Sequence, residues 1–419
     1  MASSARKKLT DSKVRSSETA FDFTEPQRQK LLNHTRELKM ARSTHAYVRG
    51  NTRKFYEWLA DSPSAKNLPD GPPVWICGDC HVGNLGPIAS ADGSIDVQIR
   101  DLDQTTIGNP VHDLIRLGLS LATAARGSDL PGVTTAHMIE AMVDGYELAL
   151  AEPEVENAAK EPNVVRAVRR RAIGRRWRQL ARERIEDVEP VIPLSKKYWA
   201  LSNDERIALT ELFAQAPVQE TILRLNARAD DDKVRLVDAA YWMKGCSSLG
   251  KLRYAALVSI GGSRKSPAQH ALIDLKQAVE PFAPTSPDAD VPVDHGERVV
   301  AGAKALSPNL GDRMLACHVL GKPMVLRELM PQDLKLEFEQ FSSSQATVSA
   351  RYLAHVVGRA HARQMNAAQR REWIILLRAR HGGGIDAPPW LWLSVVDLLA
   401  SHEGGYLEHC RRYALRPVP

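Results

Sequence analysis

The 419-residue sequence has no apolar run long enough to span a bilayer and no charged-then-apolar leader. Cytoplasmic is therefore the expected address. Cysteine is scarce: positions 77, 80, 246, 317 and 410 make an odd, scattered set of five, which argues against a disulfide framework. No internal repeat organises the chain. Strong charge imbalance is missing too, with 56 Lys and Arg against 50 Asp and Glu, a formal net charge of +6. Such a balance permits an anionic partner without demanding one, and a nucleotide or another phosphorylated substrate fits its sign. What remains is ordinary globular composition, 43% hydrophobic and 25% charged, at a length that allows two or three domain-sized units and a large core.

The most informative stretch runs from Val74 to Leu117, VWICGDCHVGNLGPIASADGSIDVQIRDLDQTTIGNPVHDLIRL. Val74 to Cys77 is a short apolar run between two prolines and Gly78, which predicts a buried strand ending in a tight turn. Asp79, His81 and Asn84 follow in a loop with Gly78 and Gly83, where side chains can be aimed at a ligand. Leu85 to Ala89 and Ile95 to Ile99 then read as a hairpin about Asp92-Gly93. Because a hairpin brings its ends together, Asp79 and Asn84 are expected near Asp101 and Asp103.

Converging carboxylates and a carboxamide repel one another unless a cation sits among them, and an all-oxygen set favours Mg²⁺ or Mn²⁺ over zinc. Phosphoryl transfer uses this kit, with one Asp to orient and deprotonate the accepting hydroxyl and an Asn and a second Asp to hold metal on nucleotide phosphates. Asp79 and Asn84 also show the five-residue spacing of base and metal-binding Asn in the protein-kinase catalytic loop. Two readings compete. Asp and Asn in turns commonly bond their own backbone, and Cys77, Cys80 and His81 spell C-x-x-C-H, a haem-attachment pattern. Haem attachment would leave Asp79, Asn84 and Asp101 unexplained, and a zinc site lacks a second ligand pair at close spacing.

Around this stretch the expected organisation is a disordered tail over 1–20, an N-terminal helical segment over 21–73 and a catalytic-loop hairpin with a helical lobe over 74–235. A nucleotide-binding β lobe over 236–335 and helices completing the helical lobe over 336–419 follow. In the helical segment, Arg49 of HAYVRG is a candidate phosphate ligand, although taken alone it reads first as a surface residue of an amphipathic helix. Nine arginines around Trp177 between Arg166 and Arg184 predict an arginine-rich helix that either contacts nucleic acid or pairs with acidic neighbours.

From Leu236 the pattern is strand, glycine turn over Gly245 to Gly250, strand over Leu252 to Ile260, then strand over Ala271 to Ala278 with Lys276 near its end. That is how kinases cover ATP and pair its α- and β-phosphates. Ser247 stands where a middle glycine would be expected, and Ser248 follows it. Glu297 is the carboxylate to pair with Lys276, or a first-turn Glu favoured by the helix dipole. A further hairpin about Gly321-Lys322 ends in RELMPQD, where the backbone from Glu328 to Met330 would meet adenine.

The motifs G-D-x-H-x-x-N and a metal Asp after a hairpin make the chain similar to the aminoglycoside-phosphotransferase-like branch of the kinase superfamily. That resemblance implies Asp79 as base, Asn84 and Asp101 as metal ligands, Asp103 as an extra ligand, His81 as a loop-ordering residue and Asp113 as a structural carboxylate. Here the catalytic loop precedes the glycine turn and Lys276, the reverse of the kinase order. The expected fold is therefore α+β, a circularly permuted kinase-like arrangement with a small antiparallel β lobe and a larger helical lobe.

Through HAYVRG, GDCHVGN, RDLDQT, GCSSLGKLRY, LIDLKQA, ERVVAG and VLRELMPQD the chain also resembles a bacterial family of uncharacterised proteins, domain of unknown function 2252. The expected activity is an ATP- and Mg²⁺-dependent phosphotransferase acting on an unidentified hydroxyl-bearing acceptor, a small molecule or a protein. Its rivals are a non-catalytic binder of nucleotide, RNA or protein, and a nucleotidyl transferase.

Overall fold

Alternating apolar strands and amphipathic helices give an α+β chain, as its sequence predicts. The computed structural model describes residues 21–153, 159–185, 191–225, 228–229, 232–246, 249–262, 267–336, 342–378 and 387–414. The expected tail over 1–20, and Ser247 and Ser248 of the glycine turn, lie outside the described residues. Two compact units emerge, a helical unit of 37–175, 279–313 and 332–419 and a sheet unit of 1–36, 176–278 and 314–331.

In the helical unit, β1 (Val74–Ile76) does not join the hairpin that follows it. It pairs antiparallel with β4 (Thr106–Gly108), whereas β2 (Leu85–Ala89) and β3 (Ile95–Ile99) pair with each other. The hairpin bounds match those read from the sequence because its turn is local: Gly93 adopts φ +89°, and the Asp92 carboxylate accepts from the Ser94 amide. Behind the strands, Val111–Gly127 is buried on nearly every side, as a helix apolar all round must be. Helices Gly132–Ala151 and Ser343–Ala362 cross where Gly145 meets the Arg351 carbonyl; a Cβ there would lie 2.0 Å from that oxygen. Any side chain at 145 would force the pair apart.

The sheet unit carries one six-stranded antiparallel sheet. Its strands are β5 (Tyr198–Trp199), β6 (Val234–Trp242), β7 (Arg253–Ile260), β8 (Gln269–Gln277), β9 (Met314–Val319) and β10 (Lys322–Glu328), and β10 lies between β8 and β9. Alternation along β8 divides the core: Ala271, Ile273 and Leu275 join helices Asn203–Phe213 and Ala216–Leu223, while Leu272 joins Ala255, Leu257, Trp242 and the Leu180–Ala181 surface. Each of these side chains contributes about 1.5–3 kcal/mol on burial. The β9–β10 turn has φ +52° at Leu320 and +69° at Gly321, the left-handed pair a two-residue hairpin requires.

One sequence expectation is corrected. The arginine-rich stretch is not a single helix: it breaks at Gly174 into Asn163–Ile173, in the helical unit, and Trp177–Arg184, in the sheet unit. Glycine ends the first helix because its backbone is costly to keep helical. Among the described residues, no helix is long and apolar enough to cross a membrane.

Candidate functional site

The loop after β1 is built on Gly78. Its φ is +72°, and a Cβ would sit 2.2 Å from the Gln104 carbonyl oxygen, so no other residue fits without moving backbone. Asp113, in the first turn of the helix behind, accepts from the Cys77 amide at 2.7 Å and the Gly78 amide at 3.0 Å. Tyr56 Oη donates to the Gly78 carbonyl at 2.7 Å. His361 Nε2 lies 3.2 Å from Asp113, its Nδ1 lies 2.9 Å from Tyr146 Oη, and Trp373 Nε1 donates to that oxygen. A carboxylate needs a donor, so Nε2 carries a proton toward Asp113. Asp113 is thus the buried support of the turn, the structural part the resemblance implied.

Asp79 projects from this turn with its side chain 14% exposed. Arg116 Nε donates to its Oδ1 at 2.9 Å, and Arg116 Nη2 donates to the Val48 carbonyl at 2.6 Å. Burial pushes the Asp79 carboxyl above its ordinary range, with the Arg116 guanidinium and the Thr52 hydroxyl opposing. Arg116 was not foreseen. Its signal was the i, i+3 spacing from Asp113 in HDLIRL, which aims both side chains at the same turn.

Asn84 is brought to Asp101 as the hairpin requires, since Leu85 faces Ile99 across the ladder. Its Nδ2 donates to the Asp101 carbonyl at 2.7 Å and approaches the Asp79 carbonyl at 3.4 Å. Among the described residues every side-chain bond it makes uses Nδ2, so Oδ1 can serve a cation. Asp101 is exposed and its charge acts on Asp79. Asp103 is half-buried, and its carboxylate acts on Arg298, whose Nη2 donates to the Asp103 carbonyl at 3.0 Å. Among the described residues no three His, Cys, Asp or Glu side chains are placed to hold a metal. Any ion here would take Asn84 and Asp101 and draw its other oxygens from a ligand or water, the usual habit of Mg²⁺.

His81 is buried, its carbonyl accepts from the Asn84 amide at 2.8 Å, and burial and nearby guanidinium groups hold its ring well below the ordinary imidazole range. Cys77 and Cys80 are buried thiols outside any disulfide. The Cys80 contact and burial push the Cys77 thiol well up, which disfavours the thiolate that zinc would need. Arg49, in the helix Thr44–Gly50, reaches this loop: a Cβ at Gly83 would sit 3.1 Å from the Arg49 Cζ.

The remaining sequence candidates belong mainly to the sheet unit. Lys276 is half-buried near the end of β8, opposite Arg253 and Val325. Gly245 and Gly250 have φ +95° and +98°, so both glycines of the turn are required by backbone conformation. Glu328 is not open to a ligand: Arg228 grips it through two bonds at 2.6 and 2.8 Å. The Leu329 amide donates to Leu272, and Met330 is buried. Glu297, in the helical unit, is an exposed first-turn residue whose amide caps on Asp294.

Sequence reasoning missed a second charged group in the sheet unit. Arg253 bonds Asp274 through two nitrogens at 2.8 and 2.5 Å, and Lys244 lies 3.8 Å over the Trp242 ring. Burial and then the Arg253 charge hold Lys244 well below the ordinary lysine range. Asp274 shares its strand face with Lys276, two residues on, and that alternation was the available signal.

Residues 28–412 match the family model described as Uncharacterized protein conserved in bacteria (DUF2252), and the chain belongs to that family. No curated protein and no solved structure matches the chain.

Proposed function

We propose that this member of the family is an ATP- and Mg²⁺-dependent phosphotransferase acting on a hydroxyl-bearing acceptor, on a circularly permuted kinase-like fold. The observation that carries the reading is the loop after β1, where a constrained Asp79 and an Asn84 five residues later meet the start of the Asp101 segment. Asp79 takes the proton of the acceptor hydroxyl as its oxygen attacks the γ-phosphorus and ADP departs. Arg116 fixes the carboxylate's direction, and Asp113 fixes the turn that carries it. Asn84 and Asp101 are the residues to hold Mg²⁺, which would supply charge neutralisation on the nucleotide phosphates. In the sheet unit Lys276 and the Gly245 to Gly250 turn are assigned the nucleotide. The antiparallel β6–β7–β8 run, with Lys276 near the end of its third strand, supports that assignment.

The test is ADP release and Mg-ATP binding by the full chain. Asn84→Ala and Lys276→Ala should each weaken Mg-ATP binding, and Asp79→Asn should stop turnover while leaving binding in place. A wild-type chain that fails to raise its melting temperature with Mg-ATP would sink the reading. A second reading, a non-catalytic nucleotide, RNA or protein binder, is favoured by one observation: the Arg253–Asp274 pair lies beside Lys276 on its face of the sheet. Nucleotide binding without ADP release would select it. A nucleotidyl transferase would show instead as an acceptor gaining the mass of AMP.

A further inference from the structure

Near Asp79, four buried side-chain nitrogens have no hydrogen-bond partner among the described residues: His45 Nδ1, Arg49 Nε, His81 Nδ1 and Arg116 Nη1. Buried polar atoms are rarely left this way, and a group of them beside one carboxylate points to a ligand that completes them. Arg49 is the sharpest case. Among the described residues its guanidinium makes no ion pair and no hydrogen bond, yet it is half-buried against Gly83 in the loop that carries Asp79. His45 stands four residues earlier on the same helical face, and the Arg49 and Arg116 charges act on both His45 and His81. Arg116 Nη1 is wholly buried while its other two nitrogens hold Asp79 and Val48. Arg116 bonds Asp79, and the charge of the exposed Asp101 acts on Asp79 and His81, so Arg49 is, among the described residues, the guanidinium here with no bonded carboxylate.

We propose that Arg49, Arg116, His45 and His81 form an anion subsite that binds a phosphate or carboxylate carried by the acceptor, and so delivers its hydroxyl to Asp79. The proposal rests on the phosphotransferase reading and names its substrate class: an anionic hydroxyl compound, such as a sugar phosphate or a polyhydroxy acid. A guanidinium fork suits either anion, and an oxyanion has enough acceptor sites to meet several unpartnered donors at once. Anchoring the anion next to the base converts encounter into positioning, which is where a phosphotransferase draws most of its rate. A polycationic acceptor is disfavoured by the same two guanidinium groups.

Titration calorimetry of the full chain with glucose 6-phosphate, gluconate, glucose and glucosamine tests the proposal on one carbon skeleton. Glucose 6-phosphate or gluconate should bind, and glucose and glucosamine should not; whichever anion binds identifies phosphate or carboxylate. Arg49→Ala should weaken that binding roughly tenfold to a hundredfold, the effect of one charged hydrogen-bond donor. Arg49→Lys should recover part of it, His45→Ala should weaken it less, and Mg-ATP affinity should stay within about twofold in all three. Circular dichroism of each variant separates lost binding from lost folding. Equal binding of glucose, no binding of either anion, or undiminished anion binding by Arg49→Ala overturns the subsite. So does a parallel loss of Mg-ATP, which would give Arg49 to the nucleotide. Anion binding that persists in a chain with no Mg-ATP binding and no turnover would instead retire the phosphotransferase and keep the subsite.

Discussion

The sheet core and the loop around Asp79 handle buried charge differently. In the sheet unit it is paired: Arg28 with Glu205 at 2.7 Å, Arg228 with Glu328 at 2.6 Å and Arg253 with Asp274 at 2.5 Å, all within a few per cent of full burial. In the helical unit Arg313 pairs in the same way with Asp333 at 2.9 Å, but around Asp79, which has Arg116, His45, Arg49 and His81 keep nitrogens with no partner among the described residues. Paired charge settles a scaffold, since breaking a buried pair leaves an uncompensated ion. Unsatisfied polar atoms cost stability wherever they are kept, and they are kept where a ligand satisfies them.

Removing the key residue of each unit should therefore fail differently. Asp79→Asn should lower ADP release by roughly 10²–10⁴-fold, the usual worth of a general base, with most of the fold intact by circular dichroism. A variant turning over at the wild-type rate would erase the distinction between the units. Arg253→Ala should cost about 1–3 kcal/mol in chemical unfolding, because Asp274 loses its two-nitrogen partner and keeps only the longer contact to Arg327 at 3.4 Å. Arg253→Ala and Asp274→Leu combined should recover much of that loss, and a double variant as unstable as the single one would contradict the pairing account.

Acid should separate the units by pH window. Burial lowers His45, His112 and His355 to about 4 and His402 to about 3, and holds His81 well down; all five lie in the helical unit. An unfolded imidazole titrates near about 6.5, so their stabilisation is complete above that pH and is lost as pH falls toward about 4. Asp79, raised by burial, runs the other way, one group against five. Burial pushes Asp274 up, but Arg253, Lys244 and Arg327 overcome it and hold it well below the carboxylate range. Its contribution persists until pH falls under roughly 4. Amide hydrogen exchange at pH 5 should show the helical unit opening first, and equal loss in both units would remove this difference.

Smaller effects sharpen the same contrast. Gly78→Ala should destabilise the chain by roughly 1–3 kcal/mol through backbone strain and displace Asp79, read as a joint fall in melting temperature and turnover. Glu161→Gln removes the acidic partner of Arg166 and Arg169; the Glu161 side chain is 9% exposed but both arginines are more than a third exposed. That change should cost under about 1 kcal/mol, and a larger loss in chemical unfolding would mean that the burial of Glu161 outweighs the exposure of its partners.

The hairpins and the loop between Val74 and Leu85 were legible because their information is local. Asp92-Gly93 bends the chain where the sequence placed the turn, Leu320-Gly321 bends it one residue before the expected Gly321-Lys322, and alternation then aligns the strands. Asp79, Asn84 and Asp101 were readable together for that reason, since one short hairpin separates them. The gap between the two arginine helices was missed because composition masked a single glycine, and the small elements after Ile192 carry little periodicity.

Sequence alone thus determined the α+β class, the acidic loop and the family's motif set, each a matter of neighbours along the chain. Tertiary structure decided which partner each buried polar group received: His361 for Asp113 across 248 positions, Arg116 for Asp79, Arg253 for Asp274, and, among the described residues, none for Arg49. A buried charge accepts any suitable counter-group that folding brings within hydrogen-bond reach, and reach across the chain depends on packing that no local pattern encodes.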